Sequence, residues 1–290
     1  MLGFDVIDNW DNELEEMNKG KVGEPFHYPN SFLLLLGYAR VYFHLPFRQT
    51  EGVVRAHAEN KIHSIPDYST IDRRINKLDI HVNNKLGGND VIIAIDSTGI
   101  KVTNRGEWMR HKWHCKSRKG YLKIHVAVDI SRINNNNNNN NDKKNKNKIL
   151  SLNVTTEQVH DSKILPILVH DIVRKQNVDA NTVIADGSYD NNKIFQFLSF
   201  NNIKPAIKIR KNARIRNDNH YKRNLAVVEQ KTDFQKWKDS VSYGERWIVE
   251  SVFSSMKKMF GEYVSAVKYP NMVKEIMLKA SLYNLFTSLT

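Results

Sequence analysis

The chain has one cysteine, Cys115, in 290 residues. An internal disulfide is therefore excluded, and a reducing compartment fits. No apolar run approaches the ~18 residues of a membrane span. The longest, SFLLLLGYARVYF (Ser31–Phe43), contains Arg40. There is no P-loop, no G-x-S-x-G and no Cys/His pair at a recognisable spacing, so ATP use and a covalent nucleophile are unsupported. RHKWHCK offers His111, His114 and Cys115, but a zinc site needs about four ligands and no second His/Cys pair follows. The acidic start, MLGFDVIDNWDNELEE, is unlike a signal peptide.

Acid is also in short supply. Lys+Arg number 44 against 31 Asp+Glu, a net charge of +13 and a pI of about 9.6. The excess is uneven. Residues 1–25 hold 7 acids and 2 bases, 101–148 hold 13 bases and 3 acids, and 204–223 hold 8 bases and 1 acid. Clustered positive charge is the footprint of a polyphosphate partner, whereas solubility alone would not need such clustering.

Three zones follow one another. The first, residues 1–88, reads as all-helical. SFLLLLGYARVYFHL is an apolar helix, PFRQTEGVVRAHAENK a second with Pro46 at its first turn, and SIPDYSTIDRRINKL a third. Asp67 or Ser69 can cap that third helix, which carries the cations Arg73, Arg74 and Lys77. Two short helices with a basic second member fit a helix-turn-helix-like DNA-binding region. LGGND (Leu86–Asp90) reads as a linker. The second zone alternates: strands at 91–96, 121–130 and 148–155, a helix at 163–175, a strand and turn at 181–190, a helix, then a strand in IKPAIKI. The third zone is two helices, around Glu250 and at 272–286. Three successive strands, then strands reached through helices, predict an α/β fold with a mixed sheet flanked by helices over residues 89–290. That order matches the ribonuclease H-like architecture. Residues 134–148, NNNNNNNNDKKNKNK, cannot build a core and are expected to form a disordered hairpin tip, at the end of the sheet where the first strand begins.

Three carboxylates stand out. Asp96 ends one buried strand before STG, Asp186 ends another before Gly187, and Glu250 lies in YGERWIVESVFSSMKK. Strand ends beside turns are where open sheets present catalytic groups. On a helical wheel Tyr243, Arg246, Glu250 and Lys257 share an arc of about 60°, beside an apolar face led by Val249, Val252 and Phe253. A simple intrahelical ion pair would account for Arg246 but not for Lys257, seven residues from Glu250. Carboxylates gathered at one sheet end stay ionised only with cations among them, and hard oxygen donors suit Mg²⁺ or Mn²⁺. Asp129 lies at the wrong end of its strand. Asp161 reads as a helix N-cap and His125 as a core histidine. Trp108 and Trp113, in the basic stretch, fit a position along DNA.

AIDSTGIK, VIADGSYD and YGERWIVESVFSSMK resemble the three catalytic motifs of insertion-sequence DDE transposases, the last in the pattern Y-x2-R-x3-E-x6-K. The resemblance covers about Val91 to Phe286, and LPFRQTEGVVR with IPDYSTIDRRINKL resembles the helical region preceding it. It implies that Asp96, Asp186 and Glu250 bind two divalent ions, Mg²⁺ or Mn²⁺. It implies cleavage of transposon ends to leave a 3′-OH, and transesterification of that hydroxyl into target DNA. Tyr243, Arg246 and Lys257 would then hold DNA flanking the cut, with Arg73 and Arg74 as further DNA contacts. The implied partners are double-stranded DNA, both terminal repeats and target, and a second copy in a homodimer. No membrane and no nucleotide cofactor are implied, and the implied location is the prokaryotic cytosol, at the nucleoid. Two other readings remain: a metal-dependent nuclease that cuts without joining, and a catalytically silent DNA-binding protein.

Overall fold

The computed structural model describes residues 5–57, 62, 64–82, 90–102, 120–131, 147–216 and 221–289. It opens with helices α1 (Asp5–Asp8), α2 (Trp10–Asn18), α3 (Asn30–Tyr42), α4 (Phe47–His57) and α5 (Tyr68–Ile75). Helix α3 is apolar because it is buried, with Phe32, Leu33, Leu36 and Val41 inside. The chain turns at His44, whose φ is 56°, and Pro46 then accepts the Thr50 N–H at 2.9 Å as α4 begins. Asp67 is the cap of α5, accepting from the N–H groups of Ser69 and Thr70 at 2.7 and 2.9 Å. The Ser69 hydroxyl, and next the Thr70 N–H, hold the Asp67 carboxyl down to about 2.

The sheet begins with β1 (Val91–Val102), β2 (Tyr121–Asp129) and β3 (Ile149–Thr156). A single helix is expected next at 163–175. The chain instead forms a 3₁₀ turn (Asp161–Lys163), α6 (Leu165–His170) and one wide π turn (Asp171–Lys175). Beside the wide turn Asp171 accepts from Ser151 Oγ at 2.9 Å and Gln176 Nε2 donates to the Leu150 carbonyl at 2.7 Å, which ties this segment to β3. Then come β4 (Ala180–Ala185), a 3₁₀ turn (Gly187–Tyr189), α7 (Asn192–Phe200) and β5 (Lys204–Ile207). The last third holds α8 (Tyr221–Thr232), α9 (Phe234–Ser240), a 3₁₀ turn (Tyr243–Arg246), α10 (Trp247–Phe260), β6 (Tyr263–Val264) and α11 (Tyr269–Leu289).

The strand order is β3-β2-β1-β4-β5, with β1, β2 and β3 antiparallel and β4 and β5 parallel to β1. This mixed order, with helices on both faces, is the ribonuclease H-like fold. The two faces follow from the period of two along a strand. Ile93, Ile95, Ala127, Val183 and Ala185 pack with α6 and α7. Ala94, Val126, Val128 and Ile184 pack with α10, α11 and the N-terminal helices, through residues such as Phe253, Ile276, Leu36 and Ile71. The N-terminal helices thus share one core with the sheet. The division expected at residue 88 falls in 83–89, outside the described residues. The free edge of β3 is covered in part by a side chain: Asn284 on α11 bonds both the N–H and the carbonyl of Ile149, at 2.9 and 2.8 Å.

The Asn-rich insertion lies outside the described residues except for Asn147 and Lys148. Its flanks sit beside the start of β1: Asp129 pairs with Ile93, Ser131 Oγ accepts the Ile92 N–H, and Asn147 N–H reaches the Asp129 carbonyl. Among the described residues no helix is long and apolar enough to cross a membrane.

Candidate active site

Asp96 lies within β1 rather than at its end. The polar run Ser97-Thr98-Gly99 hides six further strand residues, because Asp96 and Thr98 border a polar site before Ile100 and Val102 return that face to core. What ends near Asp96 is its neighbour. Parallel pairing with β4 stops at Ile95–Ala185, and β1 gains β6 only at Lys101 and Val102. Asp96 and Asp186 are therefore the next residues on two adjacent parallel strands at the point where they part. By the period of two, Asp96, Thr98 and Asp186 lie on the face that α10 covers.

Asp186 caps its own turn, accepting the Ser188 N–H at 2.8 Å. Asp96 accepts the Ser97 N–H at 2.8 Å. Burial, the largest influence, pushes the Asp96 carboxyl above its ordinary range; Ser97 and Arg246 oppose this, and the charges of Asp186 and Glu250 add to it. Asp96 thus senses both of the other carboxylates.

Arg246 joins two of them. Its Nη1 donates to Asp96 Oδ2 at 2.9 Å, and its Nη2 donates to Glu250 Oε1. The i, i+4 pair is real, but the same guanidinium also bridges 150 positions of sequence to the sheet. Burial disfavours the Arg246 charge, yet Asp96 and Glu250 outweigh it and raise its pKa. Lys257 Nζ donates to Thr98 Oγ1 at 2.8 Å, so the second cation of the stripe also meets β1. Gly261, with φ of 75°, follows the end of α10 one turn later.

Tyr243 departs from the expected stripe. Residues 243–246 wind as a 3₁₀ turn, so a wheel drawn at 100° per residue misplaces its first member. The Tyr243 ring is buried against Trp237, with centroids 5.0 Å apart, and its hydroxyl is pushed up to about 12, chiefly by burial. The exposed aromatic at this place is Trp247, 60% accessible.

The other candidates divide. Arg74 is committed within the chain: it donates to the Tyr28 carbonyl and Asn30 Oδ1, and stands 4.3 Å from the Phe26 ring centre. Arg73 is exposed, with weak bonds back to Ser69 and Thr70. Asp161 does not cap the 3₁₀ turn; His160 does, accepting the Ser162 N–H. Asp161 instead pairs with Lys123 at 2.7 Å and lies 3.3 Å from Nδ1 of His125. His125 is fully buried in the core, as expected, with Nε2 2.9 Å from Thr155 Oγ1. His111, His114, Cys115, Trp108 and Trp113 lie outside the described residues.

Two groups beside the site were not legible as such. Thr98 is two residues from Asp96 and shares its face only because β1 continues. Asp190, the last residue of DGSYD, forms a buried bidentate pair with Arg223, at 2.7 and 3.0 Å, and this anchors the turn after Asp186.

Asp96 and Asp186 thus stand on parting strands of the sheet, under a helix that bears Glu250. Residues 87–285, more than half of the chain, match a family model described as a transposase DDE domain, and residues 1–105 match a second with the same description. The chain belongs to the transposase DDE domain family, in the insertion-sequence type. A cryo-EM structure of a piggyBac transposase synaptic complex with hairpin DNA is a distant likeness, with a TM-score of 0.42 and 10% identity over 98% of this chain and 72% of that one.

Proposed function

We propose that this transposase cuts the ends of its element and joins the exposed 3′-OH to target DNA by two-metal-ion phosphoryl transfer at Asp96, Asp186 and Glu250. The observation that carries the proposal is the placement of Asp96 and Asp186 at one level on two parting parallel strands, with Arg246 joining Asp96 to Glu250 on the helix that covers them. In cutting, water adds to phosphorus and the 3′ oxygen leaves. In joining, that 3′-OH attacks a target phosphodiester and displaces the target's own 3′ oxygen. Joining conserves the number of phosphodiester bonds, so no nucleotide cofactor is needed.

The donor set fits Mg²⁺ or Mn²⁺, since all three groups are hard oxygen ligands. As arranged here, no three His, Cys, Asp or Glu side chains among the described residues are close enough to share one ion. Arg246 supplies the positive charge between Asp96 and Glu250. Asp96, Asp186 and Glu250 would hold the ions, which supply charge stabilisation at the scissile phosphate and activation of the attacking oxygen. The chain's own residues do the positioning. Asp96 and Asp186 are fixed by strand register, and Glu250 projects from α10. Arg246 and Lys257 offer a fork and a point charge to phosphates flanking the cut. Both ends of an element must be cut together, so the acting form is a homodimer on double-stranded DNA.

The test is cleavage and strand transfer on a labelled duplex carrying the element's end, in Mg²⁺ and in Mn²⁺, with Glu250→Gln alongside. Wild type should cut and join while the variant only binds. Cutting without joining would favour a nuclease, and binding without cutting by both proteins would favour a silent DNA-binding protein.

A further inference from the structure

The stretch that the site does not absorb is KIRKNARIR, Lys208–Arg216. It holds five cations, Lys208, Arg210, Lys211, Arg214 and Arg216, and no acid. All five are exposed, and none forms an ion pair among the described residues. Cations elsewhere in this fold are commonly engaged: Arg40 and Lys279 with Glu275, Lys123 with Asp161, Lys175 with Asp171, Arg223 with Asp190. Five like charges left together repel one another, and a loop free to move would spread them apart.

This segment is held in place. The Ile209 N–H donates to Gln230 Oε1 at 3.0 Å, and Gln230 Nε2 returns to the Ile207 carbonyl at 2.8 Å. The Arg210 N–H donates to Asp190 Oδ2 at 3.1 Å. Ala213 is buried and closes a turn onto the Arg210 carbonyl. The side chain of Asn224 bonds both the N–H and the carbonyl of Arg216, at 3.1 and 2.7 Å. These bonds fix the backbone; Lys208 Nζ stands 5.6 Å from the Phe234 ring centre, and Lys211, Arg214 and Arg216 face water.

Its position is as telling as its charge. The segment leaves β5 at the same end at which Asp186 leaves β4, since the two strands are parallel. Arg210 Nε donates to the carbonyl of Gly187, the residue after Asp186, at 3.1 Å. The ribbon of charge therefore starts one residue from the proposed site. Ligands of open α/β sheets bind beyond the carboxyl ends of the strands, which is where it lies.

We infer that Lys208–Arg216 is a preformed track for the phosphate backbone of DNA entering the active site from the Asp186 side. The identification of the polyanion as DNA rests on the transposase reading above. A rigid, unpaired row of cations suits a partner with regularly spaced charges, because little ordering entropy is lost on binding. A membrane surface fits less well, since Ile215 is the segment's one large exposed apolar side chain.

The experiment measures duplex affinity against salt concentration for wild type, for Arg214→Gln with Arg216→Gln, and for Lys163→Gln with Arg174→Gln as a control of equal charge on the layer of α6. Neither ribbon side chain has a bond among the described residues, so thermal melting should match wild type. Each lost phosphate contact lowers the slope of log K against log salt by about 0.9 on duplex DNA. The ribbon variant should lose about 1.8 of slope and the control almost none. An unchanged slope in the ribbon variant, or equal losses in both variants, overturns the inference. So does a variant that keeps its DNA slope but loses binding to phosphatidylserine vesicles, which would make the ribbon a membrane contact. Wild type that cleaves DNA while the ribbon variant binds like wild type refutes the track alone; wild type with no affinity for duplex refutes the DNA reading with it.

Discussion

Arg246 stands where a divalent ion would be attracted, and replacing it should tighten metal binding rather than weaken it. At 2.9 Å from Asp96, opposite unit charges attract by about 1.4 kcal/mol at the dielectric of water and about 6 kcal/mol at an effective value of 20. The Arg246 and Asp96 side chains are 26% and 19% accessible and Glu250 is 54% accessible, so solvent screening favours the lower figure. A local positive charge of that effect opposes an incoming cation, and about 1.4 kcal/mol is a tenfold change in affinity. Arg246→Gln should therefore bind Mn²⁺ about tenfold more tightly by titration calorimetry. Without metal it should melt lower than wild type, because Asp96, Asp186 and Glu250 then repel with less compensation. Saturating metal should recover more melting temperature in the variant than in wild type, as a tighter ligand of the native state must. DNA cleavage should still fall, since the phosphate fork is gone. Unchanged or weaker Mn²⁺ binding by Arg246→Gln would refute this reasoning.

His125 is buried and neutral in the fold: burial, the largest influence, lowers its pKa to about 4 from an ordinary 6.5. The unfolded chain binds the extra proton first, so stability is lost as pH falls from 6.5 through 4, by on the order of 3 kcal/mol at the acid limit; His125→Gln should flatten that part of a urea-denaturation pH profile. Arg223→Met leaves the buried Asp190 carboxylate without its cation and should cost about 3 kcal/mol in urea unfolding, with Asp190→Leu added to it recovering much of the loss. Lys257→Gln should reduce the salt slope of end-DNA binding by about 0.9, whereas Lys258→Gln, about 100° further round α10, should leave it unchanged.

The sheet was legible where strands face core on both sides or alternate cleanly, as in VIIAI and KIHVAV. It was illegible where β1 runs past Asp96, because strand signals are burial signals and Ser97, Thr98 and Gly99 border a polar site. The two-residue β6 has no pattern of its own and exists because β1 offers it an edge. The three carboxylates stand out by their motifs, but their relation does not. That Asp96 and Asp186 share a level follows from the Ile95–Ala185 register, which no local pattern encodes. Tyr243 was placed among the cations by assuming α-helical winding, and the 3₁₀ turn sends it into the core beside Trp237. Arg74 is expected as a DNA contact, and a cation on a short helix gives no sign that Phe26 and the Tyr28 carbonyl also engage it. Asp67 was among the caps named, since an Asp two and three residues before free N–H groups has a local cause.

Asp186 is the decisive residue, because among the described residues no side-chain bond joins it to the other two carboxylates, while Asp96 and Glu250 are already joined through Arg246. The most direct measurement is end cleavage and strand transfer by Asp186→Asn, in Mg²⁺ and Mn²⁺, with duplex affinity measured on the same preparation. A three-carboxylate phosphoryl-transfer site predicts wild-type DNA affinity with both cutting and joining lost in either ion. A variant that cuts and joins like wild type would show that Asp186 merely caps its turn, and would contradict the account.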